Sequence, residues 1–396
     1  MFISSLYSGM GILVARFAGA NEPEKVNRVV VQVFLASIGL GVAVFAPVGY
    51  LLSPRLLELV HAEPGVQAEA VPYLRILFVF GLGMMLFFLI AGGLRAAGDA
   101  RTPMRLGIVL TVLNMVLNVV LIRGLGPIPA FGTRGAAMGT VIANALVASI
   151  VVWQLFTGRL LIRLALRRAW RPDWQVLAAV GRLGLPTGFQ GVVMNIGGVI
   201  LIRFVGGLEQ SAEAQAAFAV GYTQLFSLIT WSSGALMAAA TTITGQNLGA
   251  GHLDRATRSP LVCSALGLLI AVPLALLFLV VPHTLMGIFG IEDADVLALG
   301  EQLLAFLSMS GLLFVTAALS YTGALQGGGD TKSPLYISMF SQLALPLSLC
   351  AVLDLAGGLD PAEIWLAIVL GHLSRCLLSI WRFQQGKWKE IKVSIG

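Results

Sequence analysis

Eleven apolar stretches, punctuated by glycine, proline or charge, run almost the whole length of this 396-residue chain. They fall at about 1–18, 29–52, 71–94, 104–123, 135–157, 177–207, 213–244, 258–283, 297–322, 334–355 and 362–385. A helix needs about 20 mostly apolar residues to cross the hydrocarbon core of a bilayer. Inside that core every backbone polar group must be satisfied within its own segment, which rules out an open sheet. A transmembrane barrel would show strands of about ten residues alternating in and out. These runs are about twice that length and apolar on both parities. The expected fold is therefore all-α and integral to the membrane, with about eleven transmembrane helices.

Composition agrees. The chain is 57% hydrophobic and 11% charged, against roughly 25% charged in a soluble domain. That excludes a soluble enzyme, a nucleic-acid binder and a disordered chain. Cys263, Cys350 and Cys376 are far apart in apolar surroundings and form neither a disulfide framework nor a zinc site. The first 20 residues lack the charged start and cleavage site of a signal peptide.

The net charge is +6, but in a membrane protein the placement of basic residues matters more than their sum. Counted along the eleven spans, 20 of the 25 Lys and Arg residues fall on one side. The other side holds Arg55, Arg75, Arg123, Arg134 and Arg203. The positive-inside rule makes the first side cytoplasmic, and one helix more or fewer would scramble the alternation.

The chain also repeats itself. Gly92-Gly-Leu-Arg-Ala-Ala-Gly-Asp-Ala-Arg-Thr-Pro-Met104 matches Gly323-Ala-Leu-Gln-Gly-Gly-Gly-Asp-Thr-Lys-Ser-Pro-Leu335 at an offset of 231. Gly19-Ala20 with Glu24, Lys25 and Arg28 matches Gly249-Ala250 with Asp254, Arg255 and Arg258 at an offset of 230. Ser53-Pro54 aligns more loosely with Val281-Pro282. The offset spans six helices, an even number, so the repeat is parallel. Subtracting it places the partner of 177–207 before residue 1, and aligns Met1 with Trp231. The expected design is six plus six helices, here lacking the first. The expected domains are an incomplete N-terminal lobe of five helices at 1–157, a basic linker at 158–176, and a six-helix C-terminal lobe at 177–396. The linker's arginines are expected to lie along anionic headgroups rather than on nucleic acid.

At these residues a family resemblance becomes specific. Gly93-Leu-Arg-Ala-Ala-Gly-Asp-Ala-Arg-Thr-Pro103 resembles the loop between the fourth and fifth helices of the multidrug and toxic compound extrusion (MATE) transporters. Asn114-Met-Val-Leu-Asn118 is similar to their fifth helix, and Gly132 to Ala143 to the start of their sixth. Gly184-Leu-Pro186, Gly245 to Gly251 and Gly323 to Pro334 are further matches in order. The resemblance covers essentially the whole chain. It implies two six-helix lobes around a cavity open alternately to either side. It also implies a monomeric antiporter, multi-pass in the cell inner membrane, that exports cationic or amphiphilic small molecules in exchange for H⁺ or Na⁺. No other cofactor and no metal is expected.

Polar side chains at membrane depth are costly and are functional candidates by default. Asn114 and Asn118, four apart, face one side of their helix; their amides could hold Na⁺ or simply join two helices. Some members of the family carry an Asp at the position of Asn118, paired with one on the first helix, and some a Glu near Met194. This chain has neither acid. Gln190 and Asn195 follow Pro186 and are cavity candidates. Tyr222, Gln224, Thr241 and Thr242 lie on the next helix, where Tyr222 could stack on a flat cation or anchor at the interface. His372 and Arg375 lie on one face of the last helix. His372 is the side chain that titrates near neutrality; the alternative is a helix contact beside a snorkelling arginine. Asp99 and Asp330 read as helix caps.

Phosphate-binding and nucleophile-elbow motifs are absent, so the expectation is a transporter driven by an ion gradient and not an enzyme. The alternative within the superfamily is a lipid-linked oligosaccharide flippase, which would show several cavity arginines; Arg203 and Arg375 are the candidates. A membrane prenyl transferase would need carboxylates for Mg²⁺, and none lie at membrane depth.

Overall fold

The computed structural model describes residues 2–59, 62–162 and 171–395. Within them each of the eleven expected stretches is helical. Nine continuous helical stretches are long and apolar enough to cross a membrane, and a bent pair supplies a tenth; the remaining one is Phe2–Gly19. Among the described residues the pairing of extended backbone is confined to one isolated bridge, Leu125 with Ile128.

Several starts carry proline in the first helical turn, among them Pro23, Pro64 and Pro361, where its missing N–H removes no helix bond. The last of these also has a full capping box between Asp360 and Glu363. Two expected spans are less simple than their hydropathy. The stretch expected at 71–94 begins earlier and is two helices, Pro64–Phe80 and Leu82–Ala97, bent by 52° about Gly81. The stretch expected at 258–283 ends at Val280, and Pro282 opens the short helix Pro282–Gly287. In both cases a helix breaker overrides a continuous apolar run.

The surface confirms the solvent. On Arg101–Arg123 the side chains of Ile108, Val109, Val112, Met115, Val116 and Val119 are all exposed. An apolar face of that extent belongs in lipid, not in water.

The internal repeat is visible bond by bond. Gly98 and Gly329 both adopt left-handed backbone, at φ 106° and 95°, which only glycine tolerates freely. The N–H of Asp99 donates to Leu94 O at 2.9 Å, and that of Asp330 to Leu325 O at 3.0 Å. Asp99 Oδ1 accepts from the Thr102 N–H and Asp330 Oδ1 from the Ser333 N–H, at 3.0 and 3.1 Å. The second repeat behaves alike. Glu22 N–H donates to Phe17 O and His252 N–H to Asn247 O, with Asn21 and Gly251 left-handed.

The chain divides into two compact units, essentially Gly9–Gly181 and Arg182–Val393. In the first, Gly135 and Gly139 bring Thr133–Phe156 against Arg101–Arg123. A Cβ at Gly139 would meet Asn118 Oδ1 at 2.2 Å. In the second, Gly323 and Gly327 do the same against Met237 and Thr241. The core of that unit gathers Phe226, Ile229, Leu303, Leu307 and Trp365.

Of the linker arginines, Arg163, Arg167 and Arg168 lie outside the described residues. Next to them Asp173 accepts from Arg28 Nε at 2.7 Å and caps the Trp174–Val205 helix through the Val176 N–H. Burial pushes the Asp173 carboxyl up, but the Arg28 guanidinium and backbone N–H groups outweigh it and hold it below its ordinary value.

Candidate functional site

The second unit encloses a cavity of about 290 Å³, near the lower end of small-molecule sites. Five helices contribute. Trp174–Val205 supplies Gln190 and Met194, Ser211–Gly249 supplies Tyr222 and Met237, and Pro361–Gln384 supplies His372 and Arg375. Val315 and Leu319 come from Ala294–Gly327, and Gln342 from Lys332–Gly357. A second cavity of about 330 Å³ shares Met194, Tyr222 and Gln342 with the first and adds Asn195.

Local backbone geometry explains how these polar groups point inward. Three π-helical turns, Gly221–Leu225, Gly311–Val315 and Met339–Ala344, carry Tyr222, Val315 and Gln342. A π turn inserts one extra residue and rotates the face a helix presents. Hydropathy periodicity does not reveal such turns, so the position of Gln342 on the cavity wall was not legible from sequence.

Gln190 is buried and hydrogen-bonded at both amide atoms. Its Nε2 donates to Ser338 Oγ at 2.7 Å, and its Oε1 accepts from Gln326 Nε2 at 3.0 Å. It ties three helices together on the cavity wall. His372 is also buried, with Nδ1 2.5 Å from Ser310 Oγ. Tyr222 stacks on Phe218 with ring centres 4.8 Å apart, and Phe226 lies between Tyr222 and His372.

Arg375 is 5% exposed. Among the described residues its one hydrogen bond is a long contact from a terminal nitrogen to Met194 Sδ at 3.9 Å, and its Nε has no partner. Among the described residues, those lining both cavities include no acid.

The other expected residues lie elsewhere. Gln224 is exposed and lines neither cavity; two residues from Tyr222, it stands on the opposite side of the helix. Thr241 also lines neither. Its hydroxyl donates to Met237 O and Gly323 O at 2.9 and 3.0 Å, closing the glycine contact. Arg203 is exposed, which leaves Arg375 as the one arginine on either cavity wall.

Asn114 and Asn118 belong to the first unit. Asn118 Nδ2 donates to Asn114 Oδ1, and Asn114 Nδ2 to Thr140 Oγ1, both at 3.2 Å. Asn118 Oδ1 and Asn144 Oδ1 are buried acceptors with no hydrogen-bond partner among the described residues. The first unit also has a larger hollow of about 880 Å³ beside the linker, where Arg28 and Asp173 pair with each other.

Comparison with known proteins places this architecture. The MatE family model matches residues 1–120 and 186–352. The probable multidrug resistance protein YoeA of Bacillus subtilis is 27% identical over 99% of this chain and 84% of its own length. The probable multidrug resistance protein NorM of Agrobacterium fabrum is 29% identical over 86% of this chain and 73% of its own. A solved MOP superfamily transporter from Pyrococcus furiosus superposes with a TM-score of 0.89 at 20% identity, covering 98% of this chain and 85% of that one. The family match covers more than half of the chain, and the fold is shared over most of it. The chain is a multi-pass membrane transporter and belongs to the MatE family, the multidrug and toxic compound extrusion transporters.

Proposed function

We propose that this transporter is a secondary antiporter, exporting cationic or amphiphilic compounds in exchange for H⁺ or Na⁺ by alternating access. The observation that carries the reading is the cavity of the second unit. It sits among membrane helices and combines an apolar lining of Met194, Met237 and Leu319 with an aromatic face at Tyr222 and hydrogen-bonding groups at Gln190, Gln342 and His372. An amphiphile needs such a mixture, since apolar contacts hold its body and a few polar groups orient it. The relatives named for multidrug resistance support the direction of transport. In this reading a lobe at 1–157 and a lobe at 177–396 alternate about the linker, and the protein acts as a monomer.

Coupling by a carboxylate at Met194 or Asn118 has no acid to use. We assign the coupling to the amide cluster of Asn114, Asn118 and Asn144 for Na⁺, or to His372 for H⁺. Expression in a pump-deficient bacterial host should lower accumulation of ethidium. A protonophore abolishing the effect while sodium removal does not would indicate H⁺, and the reverse Na⁺. Unchanged accumulation of ethidium and of other amphiphilic dyes would overturn the reading.

A further inference from the structure

We propose that the second-unit cavity binds its ligand through an anionic group, a carboxylate held by Arg375, so that the transported compounds include anionic or zwitterionic amphiphiles. The inference rests on the reading of that cavity as the seat of the transported compound.

Arg375 lies nine residues before the end of Pro361–Gln384, or about 13 Å at 1.5 Å per residue. That separation puts it within the apolar span rather than at its end. An arginine held there with no counter-charge is strongly disfavoured. It does not snorkel, since it is 5% exposed and lines the cavity.

The protein does not neutralise this charge. Among the described residues no carboxylate lies within ion-pair distance of Arg375, and neither cavity has an acidic lining residue. The Nε remains without a partner, and the contact to Met194 sulfur is weak. Asp330 is paired with Arg382. His372, one turn back on the same helix, is occupied by Ser310 at Nδ1 and brings no negative charge. A planar guanidinium with an unpaired donor on a largely apolar wall matches a carboxylate, which can accept two parallel hydrogen bonds from it. Met194, Met237 and Leu319 would then hold the apolar body.

The test uses one fluorophore in three charge states. Dansylglycine carries a carboxylate, dansylglycinamide is neutral, and dansyl-ethylenediamine carries an ammonium. Each is titrated onto the purified full-length protein in phosphatidylcholine nanodiscs, and dansyl emission reports binding. Dansylglycine should bind at least tenfold more tightly than the other two, the margin of a charge-assisted pair. Arg375→Gln should bring all three within about twofold. Arg375→Lys, which keeps the charge but loses the fork, should retain part of the preference and serves if the Gln variant does not fold. Equal binding of the three probes to the wild type would overturn the proposal, as would a carboxylate preference that survives Arg375→Gln. Loss of dansylglycine binding when phosphatidylglycerol is added would also overturn it, by showing a lipid as the occupant. Ethidium efflux in cells is measured separately, so this site can fail while the transport reading stands, and the reverse.

Discussion

Arg382 grips one oxygen of Asp330 twice, from Nε and from a terminal nitrogen, each at 2.8 Å. Asp330 Oδ2 also accepts from the Ser333 hydroxyl at 2.8 Å. Its repeat partner Asp99 makes the same backbone cap at Thr102, but among the described residues it has no cation. One motif has thus been given an extra tie in the second half only, joining its loop to the last helix.

The two aspartates should therefore differ on truncation. Asp99→Ala loses a cap, at a cost of about 1 kcal/mol. Asp330→Ala also strands a half-buried guanidinium and should cost about 2–4 kcal/mol. Thermal unfolding in detergent micelles compares them, and equal losses would show that the Arg382 pair contributes nothing.

The glycine contact makes a second prediction. A Cβ on Gly323 would stand 2.1 Å from the carbonyl oxygen of Met237, so Gly323→Ala must push two helices apart and should lower stability by about 1–3 kcal/mol. Gly107, with nothing within 4 Å, should accept alanine with a gain of up to about 1 kcal/mol from helix propensity. A Gly323→Ala protein as stable as the wild type would contradict the packing.

Gln190 offers a test of the polar clasp. Gln190→Leu leaves the Ser338 hydroxyl and the Gln326 amide buried without their partner, at about 1–3 kcal/mol each. Adding Ser338→Ala and Gln326→Leu should recover much of that loss, because apolar replacement of every partner removes the desolvation penalty. A triple variant no more stable than the single one would mean that Gln190 acts through packing alone.

Asp173 should leave a mark on the pH profile. Its carboxyl is held below the ordinary value of 3.8 when folded, so the pair with Arg28 contributes its full stability above that value. The contribution fades as pH falls through the lower, folded value. Melting temperatures measured from about pH 6 to pH 3 should fall more steeply for the wild type than for Asp173→Asn. Parallel curves would remove Asp173 from the acid response.

Much of the architecture was legible because lipid imposes a simple rule. Helix must follow wherever about 20 apolar residues run together, and all eleven stretches obey it. The Asp99 and Asp330 caps were legible for a similar reason, since capping is decided within four residues of chain. The bend at Gly81 and the break at Pro282 were less so, because hydropathy averages over the single residues that cause them. Gln224 lines neither cavity of the second unit, as its spacing of two residues from Tyr222 dictates.

The linear chain, then, was enough for the membrane, the eleven helices, the repeat and the family, since each depends on neighbours or on composition. The pairing of His372 with Ser310, the Gln190 clasp and the isolation of Arg375 depend on residues 62, 148 and 181 positions apart. Only packing brings such residues together. Whether a buried charge is neutralised depends on every helix around it, and no local pattern on its own helix carries that information.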